Sequence, residues 1–476
     1  MSSERQAPAG LVAQREAGLT GHATRRQFLF AVSALAAPAA RPPNILLLFP
    51  DQWRFDWTGA NPTLDVRTPN LDGLARRGAR FTRVLAPSPL CAPARACLAA
   101  GKEYANCRVP NNGYDYPLDQ PTFYALLRQR GYSVLGCGKF DLHKKTLDWG
   151  LDGKRLIKEW GFSDGIDNAG KHDAIRSGAV EPKDPYMAYL HRRGLAALHV
   201  ADFKRRREYA DTFPTPLDEE AYCDNWLANN GLRLLRSVPR GRPWFLQVNF
   251  TGPHSPMDIT RRMEATVRGR SFPSPNQNTQ YPAEIHTAIR QNYTAMCENI
   301  DRWVGLFLRE IEQRGELANT LVVVSSDHGE MLGDHNRWGK SVPYQPSVGV
   351  PLYVAGPGVK AGLVSDALVS VMDLTATFLD YAGIPCLPDM ESRSLRPVLE
   401  GRTRTHREWV RSGLNAWRLV WDGRYKLITG FDPQQEARRQ AGEAAPLLFD
   451  LEADPLENTN LAAREPARVR KMRELL

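Results

Sequence analysis

The sequence lacks any apolar stretch after residue 40 that is long enough to cross a bilayer, which takes about 20 consecutive apolar residues. It also lacks internal repeats and low-complexity linkers. Hydrophobic residues nevertheless make up 42% of the 476 positions, which is enough to build a sizeable core. We therefore expect a soluble globular protein with one large domain, a smaller one and no stable membrane span.

Cysteine is scarce, and the seven residues are spread over positions 91, 97, 107, 137, 223, 297 and 386. None of their spacings matches a structural zinc site. Without Cys91, the remaining six form an even number that could pair in an oxidising compartment. A fold completed before export would keep them reduced, so we expect most of them to be buried free thiols.

Nucleic-acid recognition motifs are absent as well, although the formal net charge is +9. The lysines and arginines are dispersed along the chain and do not form a basic stripe. We therefore expect no nucleic-acid partner. The positive charge favours anionic substrates or surfaces without identifying them.

The N-terminus carries the pattern of a twin-arginine export signal. Arg25 and Arg26 precede a short apolar run over residues 28–37, and small residues follow at 37–39. The run is too short for a membrane anchor, so we predict a cleaved signal over residues 1–40. The predicted partner is the twin-arginine export machinery, and the predicted location is periplasmic or secreted.

Polar side chains follow two continuous apolar runs, 44–49 and 321–326, that have the pattern of central strands covered on both faces. In open α/β sheets, binding sites lie at the carboxyl ends of the strands. These two ends supply four candidate metal ligands, which are Asp51 and Gln52 after the first run and Asp327 and His328 after the second.

Two further strands are predicted over 132–137 and 244–250, the first leading into Lys139 and the second into His254. Amphipathic segments separate the strands and predict covering helices over 68–79, 121–131 and 293–315. Pro185 to Pro216 is irregular, aromatic and basic, which is compatible with substrate loops or ordinary surface insertions. The pattern predicts an α/β fold with a large, mostly parallel or mixed central sheet between helices.

A short motif links these strand ends to a known family. Cys91-Ala92-Pro93-Ala94-Arg95 contains a C-x-P-x-R core that resembles the maturation site of type I sulfatases. The four strand ends match, in order and content, the catalytic segments of the sulfatase branch of the alkaline phosphatase superfamily, from about Pro43 to Leu461. The resemblance implies an alkaline phosphatase-like fold with a small C-terminal antiparallel sheet plus helix, and hydrolysis of sulfate monoesters.

The resemblance also implies the cofactors. A formylglycine-generating maturation enzyme would oxidise Cys91 to formylglycine, whose hydrate is the nucleophile in the family. Asp51, Gln52, Asp327 and His328 resemble the metal ligands, together with an oxygen of modified Cys91. Hard oxygen ligands favour Ca²⁺, whereas the imidazole of His328 leaves Mn²⁺ or another transition metal open.

Other residues match family positions that act on the substrate. Arg95 would lie beside the nucleophile and offset its charge. Lys139 and Lys340 resemble the lysines that bind the sulfate oxygens, and His254 resembles the acid that protonates the leaving alcohol. Asn112 resembles an asparagine that contacts the transferred group.

The sequence departs from the family pattern after Lys139. Many sulfatases read Lys-x-His there, whereas this chain has Asp141, with a histidine only at His143. Positions 141 and 143 point the same way on an extended segment, so both stay within reach. We expect His143 to take the catalytic role, with Asp141 as the alternative.

Three functions compete at this stage. Related phosphonate monoester and phosphodiester hydrolases also combine Asp-Gln with Asp-His, and Gln52 gives the site one fewer negative charge than Asp would. A non-catalytic binding protein would keep the fold without turnover, but the intact ligand set argues against it. We expect a sulfatase acting on an anionic sulfated small molecule or glycan, with a carbohydrate as the default substrate.

The predicted catalytic domain spans 41–401, and a small α+β subdomain spans 402–476. In the latter, residues 417–428 predict a hairpin across Asp422-Gly423, and 447–451 predict another strand. A closing helix is predicted over 466–476.

Overall fold

An eight-stranded mixed sheet organises the chain in a computed structural model that describes residues 41–207, 209–434 and 444–476. The predicted signal over 1–40 lies outside these residues. The strands of this sheet are β1 (Asn44–Leu48), β2 (Ala79–Phe81), β4 (Ser133–Gly138), β5 (Asp164–Asp167), β6 (Trp244–Asn249), β7 (Thr320–Ser325), β8 (Leu352–Ala355) and β9 (Leu363–Ser365). Two short strands, β3 (Val84–Leu85) and β10 (Val369–Ser370), pair in parallel beside it.

The strand order is β5-β4-β6-β1-β7-β8-β2-β9. The first five strands in this order run parallel to one another, and β8 pairs antiparallel with β7. Because β4, β6, β1 and β7 are adjacent and parallel, their carboxyl ends meet at one edge of the sheet. The four predicted catalytic segments directly follow these strands and therefore lie at this edge.

Strand β1 lies at the centre because both of its faces are apolar. Ile45 and Leu47 pack into the core on one side of the sheet, and Leu46 and Leu48 pack into the core on the other side. All four are fully buried, and each such side chain contributes about 1.5–3 kcal/mol relative to exposure. Central parallel strands of this kind read as continuous hydrophobic runs, as the sequence indicated.

Helices cover both faces of the sheet. They are α1 (Pro69–Arg77), α2 (Cys91–Ala100), α3 (Phe123–Gln129), α4 (Lys171–Gly178), α5 (Pro185–Arg192), α6 (Ala196–Arg205), α7 (Cys223–Ser237), α8 (Arg261–Val267), α9 (Ala283–Gln313), α10 (Gln345–Val348), α11 (Asp373–Tyr381), α12 (Arg396–Leu399) and α13 (Pro466–Arg473). In this part of the chain, no helix is both long and apolar enough to span a membrane.

A second, four-stranded antiparallel sheet lies near the C-terminus, in the order β11 (Val410–Leu414), β12 (Trp417–Trp421), β13 (Tyr425–Thr429), β14 (Leu447–Asp450). Strands β12 and β13 form the predicted hairpin across Asp422-Gly423. The two sheets and their helices confirm the predicted fold class. Pro42–Leu476 form one compact unit, and the predicted boundary at 401–402 stays a prediction.

Two local predictions were wrong. Helix α9 begins at Ala283, ten residues before the predicted start, because polar residues such as Arg290 and Asn292 are buried and hide the apolar stripe. The segment 185–216 is largely helical, since α5 and α6 lie within it. The cysteine prediction is confirmed: all seven are free, and only Cys386 is exposed.

Candidate active site

The side chains of Asp51, Cys91, Asp327 and His328 converge at the carboxyl edge of the sheet. Their ligand atoms all lie within 4.8 Å of one another, and all four residues are buried. His328 Nε2 lies 3.7 Å from Asp51 Oδ1 and 3.7 Å from Asp327 Oδ2. Two carboxylates and an imidazole at these spacings fit a divalent cation, so the donor set supports the predicted metal site.

Helix α2 begins at Cys91 and so sets the position of the predicted nucleophile. Cys91 Sγ lies 3.3 Å from His328 Nε2 and 3.8 Å from Asp51 Oδ1. Burial and the charge of Asp51 raise the pKa of the thiol, but Lys139, Lys340 and His328 outweigh them and lower it to about 6. The side chain at position 91 is therefore held among the predicted ligands in a strongly cationic environment.

Arg95 lies one turn further along α2 and connects the two carboxylates. Its Nε donates to Asp327 Oδ2 at 3.0 Å, and its Nη2 donates to Asp51 Oδ2 at 3.4 Å. Its Nη1 donates to the carbonyl oxygen of Lys139 at 2.6 Å. Arg95 thus orients candidate ligands, and its predicted contact with the modified residue stays a prediction.

Burial and charge act in opposite directions on the three charged ligands. Burial raises the pKa of Asp51, but Lys139 foremost among the nearby cations brings it well below its usual range. For Asp327, burial outweighs Arg95 and raises the pKa. Burial lowers the pKa of His328, yet Asp327 and Cys91 raise it above its ordinary value. The site is thus organised around closely coupled charges.

Gln52 is brought to the site, and its side-chain amide is held at both ends. Its Nε2 donates to Glu330 Oε2, and its Oε1 accepts from the ammonium of Lys340. Glu330 is fully buried and also accepts from the backbone N–H groups of Leu332, at 3.0 Å, and Gly339, at 2.6 Å. A carboxylate only accepts hydrogen bonds, so Glu330 must face the NH2 group of the Gln52 amide. The amide oxygen of Gln52 therefore points away from Glu330.

His254 and Lys340 face each other across the site. The Nδ1 of His254 donates to the carbonyl oxygen of Ser255 at 2.6 Å, which leaves Nε2 as the acceptor from the Lys340 ammonium. Burial and the charge of Lys340 hold the pKa of His254 well below its usual range. In this hydrogen bond Lys340 is the donor and His254 Nε2 the acceptor.

The structure separates the two candidates that follow Lys139. Asp141 is buried and accepts from the ammonium groups of Lys139, at 2.8 Å, and Lys144, at 3.0 Å. Burial lowers the pKa of His143, and Asp115 is the first of the charges that oppose this effect. Lys139 pairs with both Asp51 and Asp141, so it links Asp141 to the ligand cluster. Within residues 41–207, 209–434 and 444–476, the side chain of His143 forms no hydrogen bond or ion pair with that cluster.

Asn112 lies at the start of α2, where its Oδ1 accepts from the backbone N–H of Ala92 at 3.1 Å. It therefore satisfies a donor of the first helical turn beside Cys91. Its predicted contact with the transferred group stays a prediction.

Sequence reasoning missed two buried residues that contact the site. Glu330 closely follows Asp327 and His328 in the same segment, and this position was the sequence feature that could have indicated its contact with the site. Lys171 begins α4, and its buried ammonium donates to the carbonyl oxygen of His254 at 2.9 Å. Lysine is usually exposed, and nothing in the local pattern around 171 indicates burial.

Comparisons with known proteins agree with this geometry. The sulfatase family matches residues 43–384, and the family described as N-sulphoglucosamine sulphohydrolase, C-terminal, matches residues 333–475. The choline-sulfatase of Rhizobium meliloti (strain 1021) is 30% identical over 454 residues, which cover 88% of this chain and 82% of that protein.

Solved structures show the same fold at lower identity. A phosphonate monoester hydrolase of Agrobacterium radiobacter has a TM-score of 0.74 and 24% identity, over 91% of this chain and 94% of its own. A protein solved in complex with its substrate D-glucosamine-2-N,6-O-disulfate has a TM-score of 0.72 and 20% identity, over 92% of this chain and 97% of its own. With a family match over most of its length, the chain belongs to the sulfatase family and is a sulfuric ester hydrolase.

Proposed function

We propose that this sulfatase cleaves sulfate monoesters of a carbohydrate, using a formylglycine made from Cys91 and a divalent cation, with Ca²⁺ the expected ion. The observation that carries the proposal is the position of Cys91 Sγ within the buried group of Asp51, Asp327 and His328. A thiol placed only to pack a core would not be surrounded by metal-type ligands.

The residues present fit both groups. Asp51, Gln52, Asp327 and His328 would hold the cation, which would polarise a sulfate oxygen and neutralise charge, while the formylglycine would supply the nucleophilic oxygen. Arg95 binds both carboxylates and so restricts the rotation of their side chains. Lys139, whose ammonium binds Asp51 and Asp141, would add positive charge on the side where the sulfate oxygens bind.

Lys340 and His254 would complete the reaction at the leaving oxygen. The ammonium of Lys340 contacts His254 Nε2, so a proton can pass within this pair before it reaches the departing alkoxide. The Nδ1 bond to Ser255 fixes the imidazole ring with Nε2 directed at Lys340. Asn112, at the start of α2, would contact the transferred group.

The choice of a carbohydrate is supported by the fold neighbour whose title names a sulfated glucosamine as its substrate. The choline-sulfatase relative provides the competing small-molecule class. A panel of sulfated monosaccharides, choline sulfate and aryl sulfates would separate these classes. Turnover of choline sulfate alone would overturn the carbohydrate assignment.

A phosphonate monoester or phosphodiester hydrolase remains the second candidate because position 52 is a neutral glutamine and not an aspartate. Lowering the negative charge of the ligand set changes how strongly the site favours one anion over another. Rates on 4-nitrophenyl sulfate and on a 4-nitrophenyl phosphonate monoester, measured with one preparation, would decide the preference.

We also propose export by the twin-arginine route to the periplasm or beyond, because Arg25 and Arg26 precede a short apolar run and small residues. This route carries folded proteins, so a maturation enzyme could act on Cys91 in the cytoplasm first. A fusion of residues 1–45 to a reporter tests the route. Retention of the reporter in the cytoplasm would contradict it.

The central experiment is mass spectrometry of the peptide Val84 to Arg95 from protein made together with the maturation enzyme. Conversion of the Cys91 thiol to an aldehyde would establish the modified residue. An unmodified thiol, in a host that matures another sulfatase, would remove the formylglycine mechanism and favour a metal-dependent phosphoesterase or a binding protein.

A further inference from the structure

A buried lysine outside the predicted catalytic set binds the loop that carries His254. Lys171 is the first residue of α4, and only 3% of its side chain is exposed. Its ammonium donates to the carbonyl oxygens of His254, at 2.9 Å, and Pro256, at 3.4 Å, and it forms an ion pair with Asp258 Oδ1 at 2.7 Å. An ammonium has three N–H donors, so these three oxygens match its capacity.

The contacts span a single short loop. Residues 254, 256 and 258 alternate along the chain, and all three turn an oxygen toward the same nitrogen atom. Moving the loop away would leave the buried ammonium with only the weakly accepting sulfur of Met296, at 3.4 Å, which costs several kcal/mol. The charge of Lys171 therefore holds the main chain of His254 in one place.

Helix α4 itself is anchored against the site. A Cβ atom built at Gly170 would lie 2.6 Å from Lys139 Cε, so the helix begins in close contact with the side chain of Lys139. The start of α4 thus contacts two segments: Gly170 approaches Lys139, after β4, and Lys171 binds the loop of His254, after β6.

We infer that Lys171 is a positioning residue for the leaving-group step: it sets the place of the His254 imidazole relative to Lys340. The inference rests on the proposed role of His254 and Lys340 in protonating the leaving alcohol. His254 Nε2 contacts Lys340, and its Nδ1 binds Ser255 within the same loop, so a displacement of the loop moves the proton-transfer pair apart.

The test is a leaving-group series. The matured, metal-loaded enzyme and its Lys171→Met variant would be assayed on aryl sulfates whose phenols range from good to poor leaving groups. Poor leaving groups need the proton most, so kcat/KM should fall about tenfold more for the poorest than for the best. A merely structural defect would lower all the rates by one common factor.

Four further variants make the result interpretable. Arg314→Met removes another buried cation, which binds Glu316 and the carbonyl oxygen of Val238 near the amino-terminal ends of β6 and β7, and it should not change the leaving-group dependence. His254→Ala should show a steeper dependence than Lys171→Met. Because both act on one step, Lys171→Met/His254→Ala should be little worse than His254→Ala alone. Asp258→Asn keeps the volume of the side chain and should change the leaving-group dependence in the same direction as Lys171→Met. It takes the place of Lys171→Met in the test if that variant does not fold.

The outcomes separate the two levels of the proposal. If His254→Ala lowers all rates equally, the proposed role of His254 fails. If His254→Ala steepens the dependence while folded Lys171→Met and Asp258→Asn leave it unchanged, the role of Lys171 is overturned. Fully additive effects in the double variant would also contradict it.

Discussion

Among individual residues, Asp141 stands two positions after Lys139, where many sulfatases have a histidine, and it changes the charge next to that lysine. Both Asp141 and His143 are buried, but only Asp141 accepts from Lys139 and Lys144. Lys139 also pairs with Asp51 and Lys144 also pairs with Asp173, so Asp141 is the carboxylate that the two lysines share. This favours Asp141 over His143 as the residue that occupies the position of the family histidine.

We predict that Asp141→Asn lowers kcat/KM by roughly a hundredfold, because Lys139 loses one of its two carboxylate partners and moves relative to the substrate oxygens. His143→Ala should stay within about threefold of the wild type, since the other site groups keep their contacts. Steady-state kinetics below the onset of unfolding would measure both. A larger loss in His143→Ala would restore the original assignment.

A second prediction concerns position 91. A Cys91→Ser chain should accept the sulfuryl group on its hydroxyl oxygen and then stop, because serine has no second hydroxyl whose deprotonation could expel sulfate. Intact-protein mass spectrometry after incubation with an aryl sulfate should show one stable sulfated adduct. Rapid multiple turnover by this variant would contradict the mechanism.

At the scale of single elements, helix α2 positions the predicted nucleophile, because Cys91 is the first residue of its first turn. Every residue of α2 is buried, and the helix ends at Gly101, whose φ of 66° lies in the left-handed region that glycine adopts without strain. Asn112, from a separate loop, satisfies the N–H of Ala92 in the first turn. The position of Cys91 therefore depends on both ends of one helix.

Asn112→Ala should cost about 1 kcal/mol of stability by removing that acceptor, and it should also lower kcat because the first turn carries Cys91. Thr122→Ala is the control, since Thr122 accepts from Ala125 at the start of α3 and also donates to the carbonyl oxygen of Trp160. It should lose at least as much stability with unchanged kcat. Thermal unfolding and kinetics on both variants provide the comparison, and equal losses of kcat would argue against a local role for Asn112.

At the scale of the whole molecule, the carboxyl edge of the sheet buries two carboxylates. Asp51 and Asp327 are fully buried and belong to one cluster of candidate ligands. A cation that binds the folded state alone stabilises it by mass action. A cation bound at this cluster would therefore raise the free energy of unfolding of the whole fold.

We predict that chelation lowers the melting temperature. An ion present at a hundred times its Kd contributes about 2.7 kcal/mol, which corresponds to a shift of about 3 °C for a chain of this size. Calorimetry with and without EDTA would measure the shift, and Asp327→Ala should show almost none. An equal shift in that variant would place the ion elsewhere.

Much of the architecture follows from local pattern. Continuous apolar runs predict the four central strands to within one or two residues, because a strand buried on both faces must be apolar at successive positions. The start of α9 and the helices α5 and α6 were missed because buried polar side chains and short segments weaken the periodic signal.

The sequence alone determined the order of the strand ends, the residue types that follow them and the resemblance of Cys91 to Arg95 to a maturation site. Only the tertiary structure decided that Asp141 binds Lys139, that Glu330 orients the amide of Gln52, and that Lys171 binds the loop of His254. Gln52 and Glu330 are 278 positions apart, and Lys171 and Asp258 are 87 apart. Local periodicity reports which face of an element is buried, whereas charge pairing between distant segments depends on how the chain brings them together.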